Sequence, residues 1–397
     1  MTNEVKNVPE LRFPEFDGEW EEKTIGKIAT TFSGGTPSST NRSYYNGEIP
    51  FIRSGEISKS STELMINKEA ISNSSAKMVE KGDLLYALYG ATSGEVAISK
   101  INGAINQAVL CIRSQESATY IFNYLKMKKD QILKTYIQGG QGNLSASIIK
   151  KVDINLPYIE EQQKIGGFFS KLDRQIELEE QKLAKLEEQK KGYMQQIFSR
   201  QFLFENEKGD TDYSWRNFKI KDIFSKIESG NRLPKTNLVE GNIPYVIAQT
   251  TNNGVFMHIS EDTLDYHKNK LKLFKKGSIT ISIDNPEAMF IQEMDFFTSN
   301  VMRVIHNENL KRGSHIFIME SLKKLTQSYN WSVKFSGPII MDSTVKFPVY
   351  NDNKVNWNVV NKIGDFFNTF EIRINRQSDK IKLLKERKKG FLKKMFI

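Results

Sequence analysis

The sequence predicts an α+β fold: two globular segments in tandem, separated by two long antiparallel coiled-coil helices with pseudo-two-fold symmetry. Three observations predict it. Residues 164–198 align without gaps to residues 362–396 at an offset of 198, with 13 of 35 positions identical. Apolar positions in both stretches recur at alternating intervals of four and three, the 3.5-residue period of a coiled coil. The segment before each stretch shows short strand runs and a helix without regular alternation, which favours α+β over a doubly wound parallel sheet. The boundaries fall at 1–157, 158–204, 205–357 and 358–397.

In the first globular segment, residues 32–38 (Phe-Ser-Gly-Gly-Thr-Pro-Ser) form a turn cluster. Residues 49–52 and 83–89 read as strands, and 117–136 as an amphipathic helix ended near Gly139-Gly140. The first long helix carries an apolar seam at Ile165, Phe169, Leu172, Ile176, Leu183, Leu186, Tyr193 and Ile197, completed by Glu179 and Lys190. The second globular segment repeats the outline, with strands near 243–248, 278–283 and 300–305 and a helix near 314–328. Trp20 and Trp215, and Lys81-Gly82 and Lys276-Gly277, lie 195 apart; Gly47-Glu-Ile-Pro-Phe-Ile52 resembles Gly241-Asn-Ile-Pro-Tyr-Val246. The second seam runs through Ile363, Phe367, Phe370, Ile374, Ile381, Leu384, Phe391 and Met395, with Gln377 and Lys388 at the matching polar places. A polar seam residue lowers stability and fixes register.

Two such helices in one chain pair most simply with each other; the alternative is that each packs only on its own domain. Antiparallel pairing gives a local two-fold and would hold the domains at opposite ends of a strut. Gly192 and Gly390 recur inside the helices, where Gly costs roughly 1 kcal/mol against Ala. Their recurrence reads as close helix approach, a kink, or chance retention.

A chain of 397 residues holds two or three domains. Its 39% hydrophobic and 26% charged residues exclude disordered, collagen-like and disulfide-stapled classes. The single Cys111 allows no intrachain disulfide or multi-cysteine zinc site, and reads as a buried, inert thiol. The expected location is a reducing cytoplasm, because no signal pattern or apolar run of about 20 residues is visible. The net charge of +10 favours polyanionic partners. Residues 358–397 hold 11 basic against 4 acidic groups, while 1–157 hold 18 against 17. That basic helix is either a solvated face or one turned to nucleic acid or an acidic partner.

No phosphate-loop, dinucleotide, nucleophile-elbow or zinc-protease signature is present. Asp284-Asn-Pro-Glu287 resembles the Asn-Pro-Pro-aromatic tetrapeptide of adenine methyltransferases but lacks the second proline and the aromatic. No catalytic or metal-ligating residue is assigned. Binding chemistry remains. Polar, glycine-rich loops carry Arg42, Tyr44, Arg53, Ser54, Tyr89, Thr92, Asn106, Gln107, Gln141 and Asn143 in the first segment. In the second they carry Arg232, Lys235, Gln249, Thr250, Asn252, Asn253, Asn285, Asn300 and Arg303. These side-chain types read base edges, Arg to guanine and Asn or Gln to adenine, or hold phosphates.

The layout resembles the specificity subunit of type I restriction–modification enzymes over essentially the whole chain. Leu156-Pro-Tyr-Ile-Glu-Glu-Gln-Gln-Lys-Ile165 is similar to that family's run into the central helix, and Gly35-Thr-Pro-Ser with Tyr45-Asn-Gly-Glu-Ile-Pro-Phe-Ile52 to its first target-recognition domain. The second copy keeps Lys362-Ile363 but has Trp357-Asn-Val-Val-Asn361 where the glutamate–glutamine pair would stand. The resemblance implies a non-catalytic, sequence-specific DNA-binding subunit with two target-recognition domains. These would read double-stranded DNA at a bipartite, asymmetric site, with the helices setting the spacer. The implied partners are two methyltransferase subunits and restriction/translocase subunits, which would carry S-adenosylmethionine, ATP and Mg for adenine methylation or cleavage. The alternatives are a coiled-coil scaffold that binds nucleic acid without sequence preference, and a degenerate standalone DNA methyltransferase. The absent glycine fingerprint argues against the second.

Overall fold

A computed structural model describes residues 7–137 and 143–397. The chain divides into two units, 1–181 with 378–397 and 182–377, so each long helix contributes a part to each unit. Unit 1 contains β1 (Glu21–Thr24), α1 (Ile25–Ile28), β2 (Ala29–Ser33), β3 (Ile49–Ile52), β4 (Met65–Ile66), α2 (Lys68–Ser72), β5 (Lys77–Val79), β6 (Leu84–Ala87), β7 (Val96–Ile98), β8 (Gly103–Ile105), β9 (Val109–Ser114), α3 (Ala118–Ile137), α4 (Ala146–Lys150) and β10 (Asp153–Leu156), ahead of the long α5 (Ile159–Phe198). Three sheets form: β1-β10, β2-β9-β6-β7 and β4-β3-β8-β5. Among the described residues only β3 and β8 pair in parallel.

Strand β6 is a continuous apolar run because both its faces are covered. Leu84 and Tyr86 pack with Leu110 and Ile112 against Tyr120, Ile121 and Tyr124 of α3. Leu85 and Ala87 pack with Val109 and Cys111 against Ile52, Val79 and Ile105 of the neighbouring sheet. Burial there pushes the Cys111 thiol up to about 12, which makes it inert at neutral pH.

Unit 2 repeats this order. It contains β11 (Ser214–Lys219), α6 (Ile220–Ile223), β12 (Glu228–Ser229), β13 (Glu240–Val246), β14 (Val255–Ile259), β15 (Ile279–Ser282), β16 (Met289–Ile291), β17 (Phe297–Thr298), β18 (Met302–Ile305), α7 (Arg312–Thr326), α8 (Gly337–Asp342) and β19 (Thr344–Val349), followed by α9 (Trp357–Met395). Its sheets are β11-β19, β12-β18-β15-β16 and β14-β13-β17, again with one parallel pair, β13 with β17. Among the described residues α2 and β5 lack a counterpart. The sheets are mixed and mostly antiparallel, as the α+β prediction requires.

The two long helices run antiparallel within each unit. In unit 1, Phe168 meets Phe391 at 5.2 Å and Asp173 accepts from Lys388 Nζ at 2.5 Å. In unit 2, Tyr193 meets Phe366 at 5.2 Å and Lys190 pairs with Glu371. Shifting either pair of contacts by 198 residues gives the other, so the repeat specifies the same crossing chemistry twice. All sixteen predicted apolar seam positions are buried or half-buried. The polar seam positions are placed as expected: Glu179 is buried and accepts from Lys380 at 2.8 Å, and Lys388 is buried on Asp173.

Close approach is not where the sequence placed it. A Cβ at Gly192 or Gly390 would meet nothing within 4 Å. The glycines that need to be glycine are Gly166 and Gly364, also 198 apart. A Cβ there would lie 2.0 Å from Thr119 Oγ1 and 1.7 Å from Gly313 O respectively. The start of each helix is built differently. Glu161 is fully buried and takes Arg12 through two hydrogen bonds (2.8 and 2.7 Å), while Gln162 Nε2 donates to Glu116 and to Pro157 O. In α9 the equivalent positions are the fully buried Val359 and Val360, and Asn356 Oδ1 accepts from the Val359 N–H. An apolar pair thus replaces a buried polar pair, a change that is often neutral for stability.

One buried base in unit 2 makes stability pH-dependent. His315 accepts from the Asn307 N–H at Nε2 (3.3 Å), faces Lys311 O at Nδ1 (3.2 Å) and stacks on His306. Burial pushes its imidazole down to about 4. Between pH 6.5 and 4 the unfolded chain binds a proton that the folded chain refuses, so stability is full above about 6.5 and falls as the pH drops toward 4. Urea midpoints measured from pH 7 to 5 should fall for the wild type and fall less for His315→Gln.

Candidate nucleic-acid interface

In unit 1 the parallel pairing of β3 with β8 sets Ile52 opposite Ile105, so the chain leaves both strands at one end. Arg53-Ser54 and Asn106-Gln107 therefore emerge side by side, and the Asn106 N–H reaches Ile52 O. The turn after β2 joins them, because Gly34 sits so close that a Cβ would be 1.8 Å from Ile105 O. The loop after β6 joins through Leu88 N–H to Ala108 O (2.8 Å), and Leu144 N–H to Leu88 O (3.0 Å) brings Asn143. Gln107 ties its own loop to the turn after β2. Its Oε1 accepts from Thr36 Oγ1 at 2.5 Å, and Tyr89 lies close enough for Gln107 to offset part of the rise that burial causes in its phenol.

Unit 2 builds the same end from the same topology. A Cβ on Gly230 would lie 1.8 Å from Thr298 O, as Gly34 does on β8. Asn231 bridges to Ser299, which sets Arg232 beside Asn300. Ser299 N–H bonds Val246 O, joining the 247–254 loop, and Ile283 N–H bonds Val301 O, joining the turn that holds Asn285.

The profile of the type I restriction modification DNA specificity domain matches residues 17–188 and 213–380, once for each copy. The chain belongs to that family. It is a specificity subunit of the type I restriction–modification kind. The MjaIX specificity subunit of Methanocaldococcus jannaschii is 27% identical over 346 residues, 80% of this chain and 78% of that one. The S subunit of a type I system from M. genitalium superposes with a TM-score of 0.64 at 15% identity, over 98% of this chain and 99% of that one. A chain solved in work on complex assembly and conformational transition of the type I system gives 0.55 at 14% identity, over 96% and 98%. Identities this low speak for the fold alone.

Within this specificity subunit the candidate residues differ in what they are free to do. Arg42, Gln107, Asn143, Arg232, Lys235, Thr250, Asn252, Asn253 and Asn300 are exposed; Ser54, Thr92, Asn106 and Asn285 are half-buried in turns. Gln141 lies outside the described residues. Other candidates are already engaged. Arg53 donates to the buried Glu56 (3.0 Å) and to Glu63, which hold its guanidinium well above the ordinary range. Tyr44 packs on the core around Phe51 and accepts from Asn73 at its hydroxyl. Tyr89 is half-buried, and burial raises its phenol. Gln249 donates to Val255 O (2.7 Å), and Asn252 to the same oxygen (3.0 Å). Asn106 and Asn285 accept from backbone N–H groups two residues on, as asparagines in turns do. Arg303 donates to Asn300 O and Met302 O, bracing the loop rather than facing out of it.

Sequence reasoning missed Thr36, Asn231 and the loop 264–272. The last is polar and lysine-rich, like the other candidate loops, but nothing in the first segment aligns with it. Among the described residues no group of three or more His, Cys, Asp or Glu is placed to hold a metal ion, and no helix is long and apolar enough to cross a membrane.

Proposed function

We propose that this chain reads a split, asymmetric DNA site, one half with the loop cluster of each unit, and performs no catalytic step itself. The observation that carries this is the frame built twice with different side chains. Gly34 and Gly230 make the same close turn against β8 and β17. Thr36, Gln107 and Tyr89 surround the first, and Arg232, Asn231 and Asn300 the second. One frame with unlike donors and acceptors reads unlike bases, while lysines and backbone amides supply the phosphate contacts that set position.

Methylation of adenine and ATP-driven cleavage would then belong to partner subunits: two methyltransferase subunits and the restriction/translocase subunits. S-adenosylmethionine, ATP and Mg would bind to those. Membership in the specificity family supports this division of labour.

The test is a methylation map. The chain is co-expressed with its methyltransferase subunit in an unmethylated host, and modified adenines are read across the genome. A split motif with a fixed gap, absent without this chain, is the expected result. Exchanging residues 20–150 for another domain of the family should change one half of the motif. A change in both halves, or no motif from a stable complex, would refute the proposal.

A further inference from the structure

We infer that Arg232, held against Tyr266 on a loop organised by Asp265, reads a guanine in the half-site recognised by unit 2, with Tyr266 as its positioning residue. The inference rests on the DNA-reading function proposed above and names one of its contacts.

Most arginines near the two loop clusters are occupied. Arg53 is held by Glu56 and Glu63, Arg113 by Asp83, and Arg312 by Glu293. Arg303 gives Nη1 to two carbonyls of its own loop. Among the described residues Arg232 has no carboxylate partner. Its guanidinium carbon lies 5.1 Å from the centroid of the Tyr266 ring, and the Tyr266 N–H donates to Arg232 O at 2.9 Å. Tyr266 itself is 57% exposed, so this ring is not core packing. A guanidinium resting on an aromatic face keeps its N–H edge for another acceptor. The paired acceptors that fit such an edge in the major groove are guanine O6 and N7. Arg42, also exposed, has no ring beneath it among the described residues and would lose its rotamer freedom on binding.

The loop that presents the pair is rigid for a visible reason. Asp265 is buried and accepts from His267 N–H (2.8 Å), Asn269 N–H (2.9 Å) and Asn231 Nδ2 (2.9 Å). Asn231 Oδ1 in turn accepts from the Lys272 N–H. The loop is thereby pinned to the Gly230 turn that carries Arg232, and the ordering cost is met before DNA arrives. Lys268 and Lys270 are exposed on the same loop, without carboxylate partners among the described residues, which suits phosphates flanking the base that is read.

The test begins from the wild-type methylation map. Absence of any split motif would sink the function itself; a split motif whose unit 2 half lacks guanine would overturn only this inference. Arg232→Ala should lose about tenfold in preference for guanine at one position of that half, leaving the other half unchanged. Arg232→Lys should not restore it, Tyr266→Phe should keep it, and Tyr266→Ala should relax the same position less. An unchanged motif in a folded, partner-bound Arg232→Ala chain, or an equal loss at every base variant, would overturn the assignment. A second measurement needs no variant. Duplexes of the mapped motif are made with 7-deazaguanine, which lacks N7, in place of that guanine. Wild-type complex should bind them about tenfold more weakly, and equal binding overturns the inference.

Discussion

Replacing Lys190 with methionine should destabilise the chain by about 3–5 kcal/mol. Lys190 is 14% exposed and lies 3.0 Å from Glu320, whose side chain is 2% exposed, while also pairing with Glu371. Burial pushes the ammonium down, but the two carboxylates outweigh it and hold its pKa above the ordinary lysine value. The same cation holds the half-buried Glu371 below the usual carboxylate range. Methionine fills the space and leaves Glu320 buried, with only Lys323, at 3.6 Å, to face it among the described residues. Adding Glu320→Gln should recover most of the loss, a coupling that a double-mutant cycle in urea measures.

The repeat supplies the control. Lys388→Met removes the equivalent cation in unit 1, but its partner Asp173 is 41% exposed and solvent can take over. The cost there should be about 1 kcal/mol or less. Asp173→Asn should cost more than Lys388→Met, because the Lys388 side chain is 8% exposed and burial already pulls its pKa down. Equal losses from Lys190→Met and Lys388→Met would show that Glu320 is not the group left stranded.

Gly364→Ala is the second large effect. The new methyl would stand 1.7 Å from Gly313 O and 2.4 Å from its carbonyl carbon, so α7 and α9 would have to separate. The loss should exceed the ~1–3 kcal/mol usual for an overpacked site, and no side chain can be trimmed to relieve it. Gly166→Ala meets a side chain first, Thr119 Oγ1 at 2.0 Å and Cβ at 2.9 Å. It should fall inside the ordinary range, and Thr119→Gly should restore part of the stability, less the roughly 1 kcal/mol that Gly costs in a helix. Thermal midpoints of the four chains decide this. Gly192→Ala and Gly390→Ala, with open space at both positions, should be neutral or slightly stabilising.

Local pattern determined much of this protein by itself. The 3.5-residue seam placed both long helices and the polar positions where Glu179 and Lys388 now sit buried, because a helix face is written at fixed spacing along the chain. The strand at Ile49–Ile52 and the helices at Ala118–Ile137 and Arg312–Thr326 lie within a few residues of their predicted places. The repeat and the run from Leu156 to Ile165 carried the family. Three things were decided only by tertiary structure. The loops that share one end depend on β3 pairing in parallel with β8, more than 50 residues away, and no local period encodes such a pairing. The freedom of each arginine depends on which distant carboxylate reaches it: Glu63 captures Arg53 and Asp83 captures Arg113, whereas Arg232 meets Tyr266. The need for glycine is set by the neighbouring helix, so recurrence alone could not separate Gly166 and Gly364 from Gly192 and Gly390. Helix and strand periodicity comes from the backbone and its nearest neighbours; loop neighbours, ion-pair partners and close approaches come from contacts between residues far apart in the chain.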